Sequence, residues 1–181
     1  QNAGTQGPQL DLFVSSSSPA VADEMGDINF IGMDSTGVKT YYSGIRGMIN
    51  NPANGSETGR IHLSTRVNGS SSPRLVVSGS SVGIGTQSPD SLLSVFSTTT
   101  PELGIYYDSG GHANARNWMF RTNHNEYGTF RISYSDDVGG DPRDNDALTI
   151  NSSGYVGIGV SDPDALLEVG PDSNSRGIVK V

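Results

Sequence analysis

One stretch of this chain occurs twice. Residues 82–95 read Val-Gly-Ile-Gly-Thr-Gln-Ser-Pro-Asp-Ser-Leu-Leu-Ser-Val and residues 156–169 read Val-Gly-Ile-Gly-Val-Ser-Asp-Pro-Asp-Ala-Leu-Leu-Glu-Val, with nine of fourteen positions identical at a spacing of 74. Self-similarity of this extent is the mark of a chain built from repeated structural units. The unit therefore has to be read before any single residue is given a role.

Val82 and Ile84, like Val156 and Ile158, alternate with Gly83, Gly85, Gly157 and Gly159. One face of a short strand thus carries β-branched side chains and the other carries none. A bare glycine face lets a neighbouring strand, a second chain or a ligand approach closely, and some of these glycines are expected to take positive φ. Ser88-Pro89-Asp90 and Asp162-Pro163-Asp164 follow. A capping side chain, a proline at the first position and an aspartate near the positive end predict a single helical turn. Leu92, Leu93 and Val95, with Leu166, Leu167 and Val169, supply the apolar groups that close it. The motif reads as strand, tight turn, short strand. A dinucleotide-binding loop would need a third glycine and a long helix after the strand; Pro89 and Pro163 stand where that helix would run.

The longer pattern, Leu148-x-Ile150-x-Ser152-Ser153-Gly154-x-Val156-Gly157-Ile158-Gly159 through Pro163, Leu167 and Val169, resembles the repeat found along tail fibres and related receptor-binding fibres of tailed bacteriophages. The first copy, with the shorter lead-in Leu75-Val-Val-Ser-Gly-Ser-Ser, and the upstream segment 59–69 resemble it more loosely. The resemblance implies an elongated, intertwined homotrimeric fibre of short antiparallel strands, in β-prism or β-sandwich-like repeats. It implies a virion-surface, extracellular and non-enzymatic protein that takes part in attachment to the host cell. The partners implied are two further copies of the chain, other fibre or tail proteins, and a host surface glycan or protein receptor. Two alternatives stay open: a polysaccharide depolymerase segment of a fibre or tailspike, and an extracellular bacterial adhesin or filament subunit with the same repeat. Many such fibres end in an intramolecular chaperone that is cut away, and residues 171–181 are expected to be a C-terminal extension or a linker toward such a domain.

Composition agrees with burial between chains. With 181 residues, 33% hydrophobic, 24 glycines and 9 prolines, a lone compact monomer would be poor in core-forming groups. Chains of this kind bury apolar surface against copies of themselves. A formal charge of −8 predicts no nucleic-acid partner, and no stretch approaches the roughly 18 apolar residues of a membrane span, so no membrane insertion is expected. Cysteine is absent, which removes disulfides and thiolate metal sites.

Residues 1–8, rich in Gly, Gln, Asn and Thr, read as a linker. Residues 9–97 form a first β block, with strands expected over Gln9–Val14, Asp27–Met33, Val38–Ile49, Arg60–Val67, Leu75–Val77 and Val82–Ile84. Gly44 and Gly47 are placed at bulges or close contacts. Residues 98–170 form a second block, with strands over Leu103–Tyr107, Arg116–Thr122, Thr129–Ser135, Leu148–Ile150 and Val156–Ile158. Turns are expected at 109–111, 123–128 and 136–146. The fold class is all-β, with helix confined to single turns after Pro89 and Pro163.

Trp118 is the single tryptophan, among Tyr106, Tyr107, Phe120, Tyr127, Phe130 and Tyr134. Trp118 and Phe120 alternate on one strand, as do Phe130, Ile132 and Tyr134, which is the pattern of a core or a subunit interface. The competing reading is a sugar platform, with Trp118 and Tyr127 as candidate glycan contacts. The acidic run 136–146 departs from the spacing of a calcium loop and lacks its closing Glu, so an exposed, solvated turn is expected, with cation binding left open. Its carboxylates, all in one Gly/Pro-rich loop, have nothing to hold two of them at a glycosidase separation. His62, His112 and His124 are scattered, and His62 is expected on a strand's solvent face. No catalytic residue, metal site or cofactor is expected.

Overall fold

The computed structural model describes residues 7–107, 112, 114–124, 126–143 and 145–170. The turn expected at 109–111 and the extension 171–181 lie outside the described residues. The chain divides into two compact units, 1–96 and 97–181.

Unit 1 carries β1 (Glu24–Met33), β2 (Lys39–Asn51), β3 (Thr58–Val67), β4 (Ser70–Ser78), β5 (Ser81–Ile84) and β6 (Leu93–Val95) as one six-stranded sheet in sequence order. Unit 2 carries β7 (Glu102–Ile105), β8 (Trp118–Thr122), β9 (Phe130–Tyr134), β10 (Asn145–Ile150), β11 (Val156–Ile158) and β12 (Leu167–Val169), again six strands in sequence order. The fold is all-β. Each sheet is a meander ending in one departure: β5–β6 and β11–β12 pair in parallel, so the sheets are mixed where antiparallel strands alone were expected. Parallel pairing requires the chain to cross back over the sheet before the last strand, and residues 85–92 and 159–166 make that crossing.

The turns follow from residue chemistry. Asp34 Oδ1 accepts hydrogen bonds from Thr36 N (2.9 Å) and Val38 N (2.9 Å), and Gly37 takes φ +80° to close the β1–β2 hairpin. Asn68 (φ +48°) and Gly69 (φ +81°) form the two-residue turn between β3 and β4, the left-handed pair that matches strand twist.

Two local expectations are corrected. No helical turn follows Pro89 or Pro163; both segments are bends. Side chains from the following strand take the backbone donors a helix would use, since Ser94 Oγ accepts from Asp90 N (3.1 Å) and Ser91 N (3.3 Å), and Glu168 Oε2 accepts from Asp164 N (3.2 Å). Gln9–Val14 is not a strand either. Alternation gives a segment two sides, but a strand needs a backbone partner, and here Leu12 rests on Gly26 only through its side chain while Leu10 and Phe13 are exposed. The register shifts of the β1–β2 pair lie at Glu24/Gly26 and Phe30/Ile31; Gly44 is instead a close contact, with Tyr41 Oη 2.7 Å and Asn29 Oδ1 2.9 Å from the position a Cβ would take.

The motif glycines are crowded by the chain's own crossover. A Cβ on Gly83 would lie 2.6 Å from Thr86 O, and one on Gly157 would collide with Val160 O. Gly85 and Gly159 take φ +76° and +68°, the left-handed backbone that starts each crossover. Gly157→Val therefore forces the 159–166 segment off its sheet. Thermal or denaturant unfolding should show a loss of roughly 1–3 kcal/mol per site; an unchanged melting temperature would mean the crossover does not press on the strand.

Candidate functional site

The two sheets are built to the same register. In unit 1, Ile28, Ile45, Leu63, Leu75, Ile84 and Val95 are successive cross-strand partners, an unbroken apolar row over six strands. In unit 2, Leu103, Phe120, Ile132, Leu148, Ile158 and Val169 form the same row. The motif residues Val82 and Leu93, with Val156 and Leu167, stand in the adjacent row beside Val77 and Ile150. The likeness extends to irregularities: β4 and β10 each bulge at one residue, and the carbonyls of those residues, Arg74 and Ala147, accept from Gly85 N and Gly159 N, both at 3.0 Å.

The sidedness of these sheets is inverted relative to an ordinary globular domain. Along β8 the side chains alternate exposed Trp118, buried Met119, exposed Phe120, buried Arg121, and along β9 Arg131 and Ser133 are buried while Phe130, Ile132 and Tyr134 are partly open. The face closed by the chain's own loops is thus largely polar, and the apolar rows are open. Among the described residues the buried hydrophobic side chains are Val76, Met119 and Val160. Trp118, 40% exposed, is therefore not in a single-chain core; it lies on the open face against Tyr134, ring centroids 5.2 Å apart. Tyr127, at 89% exposed, stands clear of it in the β8–β9 turn. Pro89 and Pro163 lie in the crossovers, away from the rows, and Asn151 Nδ2 donates to Pro163 O (3.0 Å) to hold the second crossover down.

The closed polar face differs between units. In unit 2 residues 135–143 of the β9–β10 connection fold over it: Asn117 Nδ2 donates to Gly140 O (2.8 Å), Ser135 Oγ donates to Asp137 O (2.8 Å), and Pro142 is fully buried. Beneath lies Asp146, its side chain 8% exposed, accepting from Arg121 Nη2 (2.7 Å), Arg131 Nη1 (2.7 Å) and Ser133 Oγ (2.6 Å). Burial works against the carboxylate, but Ser133 and the two guanidiniums outweigh it and hold its pKa below the ordinary value. The exposed, solvated turn expected over 136–146 is thereby corrected: part of it is a cover, and Asp146 belongs to β10 and is rigidly held. Asp141 and Glu102 both engage Arg143. Among the described residues no three His, Asp or Glu side chains converge as a metal site requires.

In unit 1 the equivalent β3–β4 connection is the two-residue turn Asn68-Gly69, and the polar face stays uncovered over a cavity of about 450 Å³. Asp27, Asn29, Tyr41, Arg46, His62 and Gln87 are among its lining residues. Arg46 meets Asp27 in a two-point pair, Nε to Oδ1 at 2.8 Å and Nη2 to Oδ2 at 3.1 Å, and also reaches Glu24 Oε1 at 2.5 Å. His62 is buried, not on the solvent face expected for it, and burial first, then Arg60 and Arg46, lower its pKa, so the ring is neutral at pH 7. Sequence reasoning missed this cavity, because its residues are spread over four strands and a crossover. No protein-family model matches the chain, and no curated protein matches it.

The ion cluster of unit 2 sets an acid limit. A carboxylate whose pKa is depressed in the fold contributes stability above its unfolded value of about 3.8, lost as pH falls through the lower folded value. Melting temperature should therefore drop below pH 3.8, and less steeply in Asp146→Asn. Asp146→Ala, which leaves two guanidiniums buried without their anion, should cost about 3–5 kcal/mol at neutral pH by denaturant unfolding; a near-neutral substitution would show that the cluster is solvated.

Proposed function

We propose that this chain is a structural and adhesive segment of a bacteriophage tail fibre, assembled as a parallel homotrimer on the virion surface and taking part in host-cell attachment without enzymatic activity. The observation that carries the reading is the pair of six-strand apolar rows left open while polar side chains are buried. Apolar surface on this scale is unstable in water unless covered. Each half-exposed Ile, Leu or Val side chain gains about 1 kcal/mol on completing its burial, roughly half the value for a whole side chain. Three copies related by an axis bring three such faces together as one core, with the polar faces turned outward. The repeated motif then has a physical purpose, because it ends each sheet with a crossover that seals the polar face and leaves Ile84 and Val95, or Ile158 and Val169, pointing to the other chains. Against the depolymerase alternative stands Asp146, a carboxylate committed to two arginines, which suits a structural anion and not a proton donor.

Light scattering should give a mass near three times the 19.0 kDa of one chain. Leu63→Glu and Ile158→Glu sit at positions 41% and 47% exposed in the single chain. In a monomer such surface changes would fall within roughly 0.5 kcal/mol of neutral. In the proposed assembly they bury charge and should abolish the trimer, whereas trimers with unchanged melting temperatures would overturn the reading.

A further inference from the structure

The duplicated sheets are an internal comparison, and the two polar faces differ in how they are filled. Asp27, Asn29, Gly44 and Arg46 correspond, 75 residues on, to Glu102, Gly104, Met119 and Arg121 through the shared register. On the third and fourth strands His62, Ser64 and Pro73 correspond to Arg131, Ser133 and Asp146. In unit 2 this face is filled. Met119 is buried where Gly44 carries no side chain, Asp146 and its arginines occupy the middle, and residues 135–143 close the top. In unit 1 the smaller His62 stands where Arg131 does and the cover is reduced to a two-residue turn, while Arg46 keeps the place of Arg121 and Tyr41 and Asn29 take up the space beside Gly44. The space released is the cavity of about 450 Å³, within the roughly 300–1,000 Å³ typical of small-ligand sites.

Its lining defines a chemical class. Asp27 and Arg46 cancel one another in their two-point pair, and the lining imidazole, His62, is buried. A ligand of strong net charge therefore finds no counter-charge. Hydrogen-bonding groups are nonetheless dense: planar groups on Asp27, Arg46, Asn29 and Gln87, and hydroxyls on Tyr41, Ser64, Ser71 and Ser72. Met48 and Pro73 add apolar surface, and Tyr41 an aromatic edge. Planar donors and acceptors around a small apolar patch match a molecule carrying adjacent hydroxyls on one side and C–H bonds on another. We infer that the polar-face cavity of unit 1 binds a neutral saccharide unit, with Asp27, Arg46 and Tyr41 as its main contacts and Gln87 at its rim. In the proposed trimer this face points away from the apolar core, so the site stays open. The inference deepens the attachment reading and rests on it for the source of the sugar, a host surface glycan.

The test is a titration of the purified protein with a panel of neutral mono- and disaccharides, followed by ligand-observed NMR and calorimetry, with sialic acid and glucuronic acid as anionic probes. Saturable binding of at least one neutral sugar at about millimolar strength or tighter is expected. Tyr41→Ala and Ser71→Trp should each weaken it about tenfold or more. Ser71 is exposed at the cavity wall, so its bulky replacement blocks the cavity without disturbing the sheet. Tyr127→Ala, in the other unit, should leave binding unchanged. No saturable binding across the neutral panel, preference for the anionic probes, or binding that survives Ser71→Trp and disappears with Tyr127→Ala would each overturn the inference. A trimer that adheres to cells yet fails this titration removes the cavity and keeps the fibre, whereas a monomer that passes it does the reverse.

Discussion

The structure depends on which face of each sheet the chain covers for itself. A six-stranded sheet has two faces, and one layer of connecting loops can seal only one. Here the crossovers 85–92 and 159–166 lie on the polar face, pinned at Gly83 and Gly157. Everything else follows from that choice. Arg121, Arg131, Ser133 and Thr149 are buried and must find partners, while Ile84, Leu63, Phe120 and Ile158 are left for another surface to cover. Partnering is incomplete even so: Arg121 Nε and Nη1, Arg131 Nε and Thr149 Oγ1 are buried without a protein hydrogen-bond partner. Such a face limits how much stability one chain can reach alone, and in the proposed trimer folding and assembly would be coupled.

Duplication then lets one architecture take two roles. Unit 2 uses its long β9–β10 connection to close the polar face and hold it with an ion cluster. Unit 1 drops the cover and keeps a cavity at the same place. The two sheets share strand order and register, including the bulges at Arg74 and Ala147, and differ in strand length, side chains and connections.

Much of the frame is legible in the residues. The alternation around Val82–Ile84 and Val156–Ile158 marks strands, and the motif glycines point to left-handed backbone at some of the four, which the structure places at Gly85 and Gly159. What fails does so for physical reasons. Period-two alternation says that neighbours face opposite sides, but not which side the loops will cover; it therefore puts His62 and the 136–146 run in solvent, when His62 is buried on the polar face of unit 1 and part of the run covers the polar face of unit 2. The extent of the duplication is also hidden, because a strand in a sheet of this kind must conserve only the parity of its apolar residues, so Ile45 and Phe120, or Leu63 and Ile132, occupy one place without resembling one another. The cavity is illegible because register, and not sequence, brings Asp27, Arg46 and His62 side by side.

Trp118 reports directly on the central claim that the apolar faces are covered by other copies. It is the only tryptophan, it lies on the open face, and in one isolated chain it is 40% exposed. Its emission and its quenching by acrylamide can be read in the native protein without any substitution. If the faces are joined, the native emission is blue-shifted, quenching is weak, and both change together only when the assembly dissociates. A native protein whose Trp118 emits at long wavelength and is quenched as freely as a partly exposed ring should be would show that the face is open in solution, and the account of this fold as one third of a shared core would be contradicted.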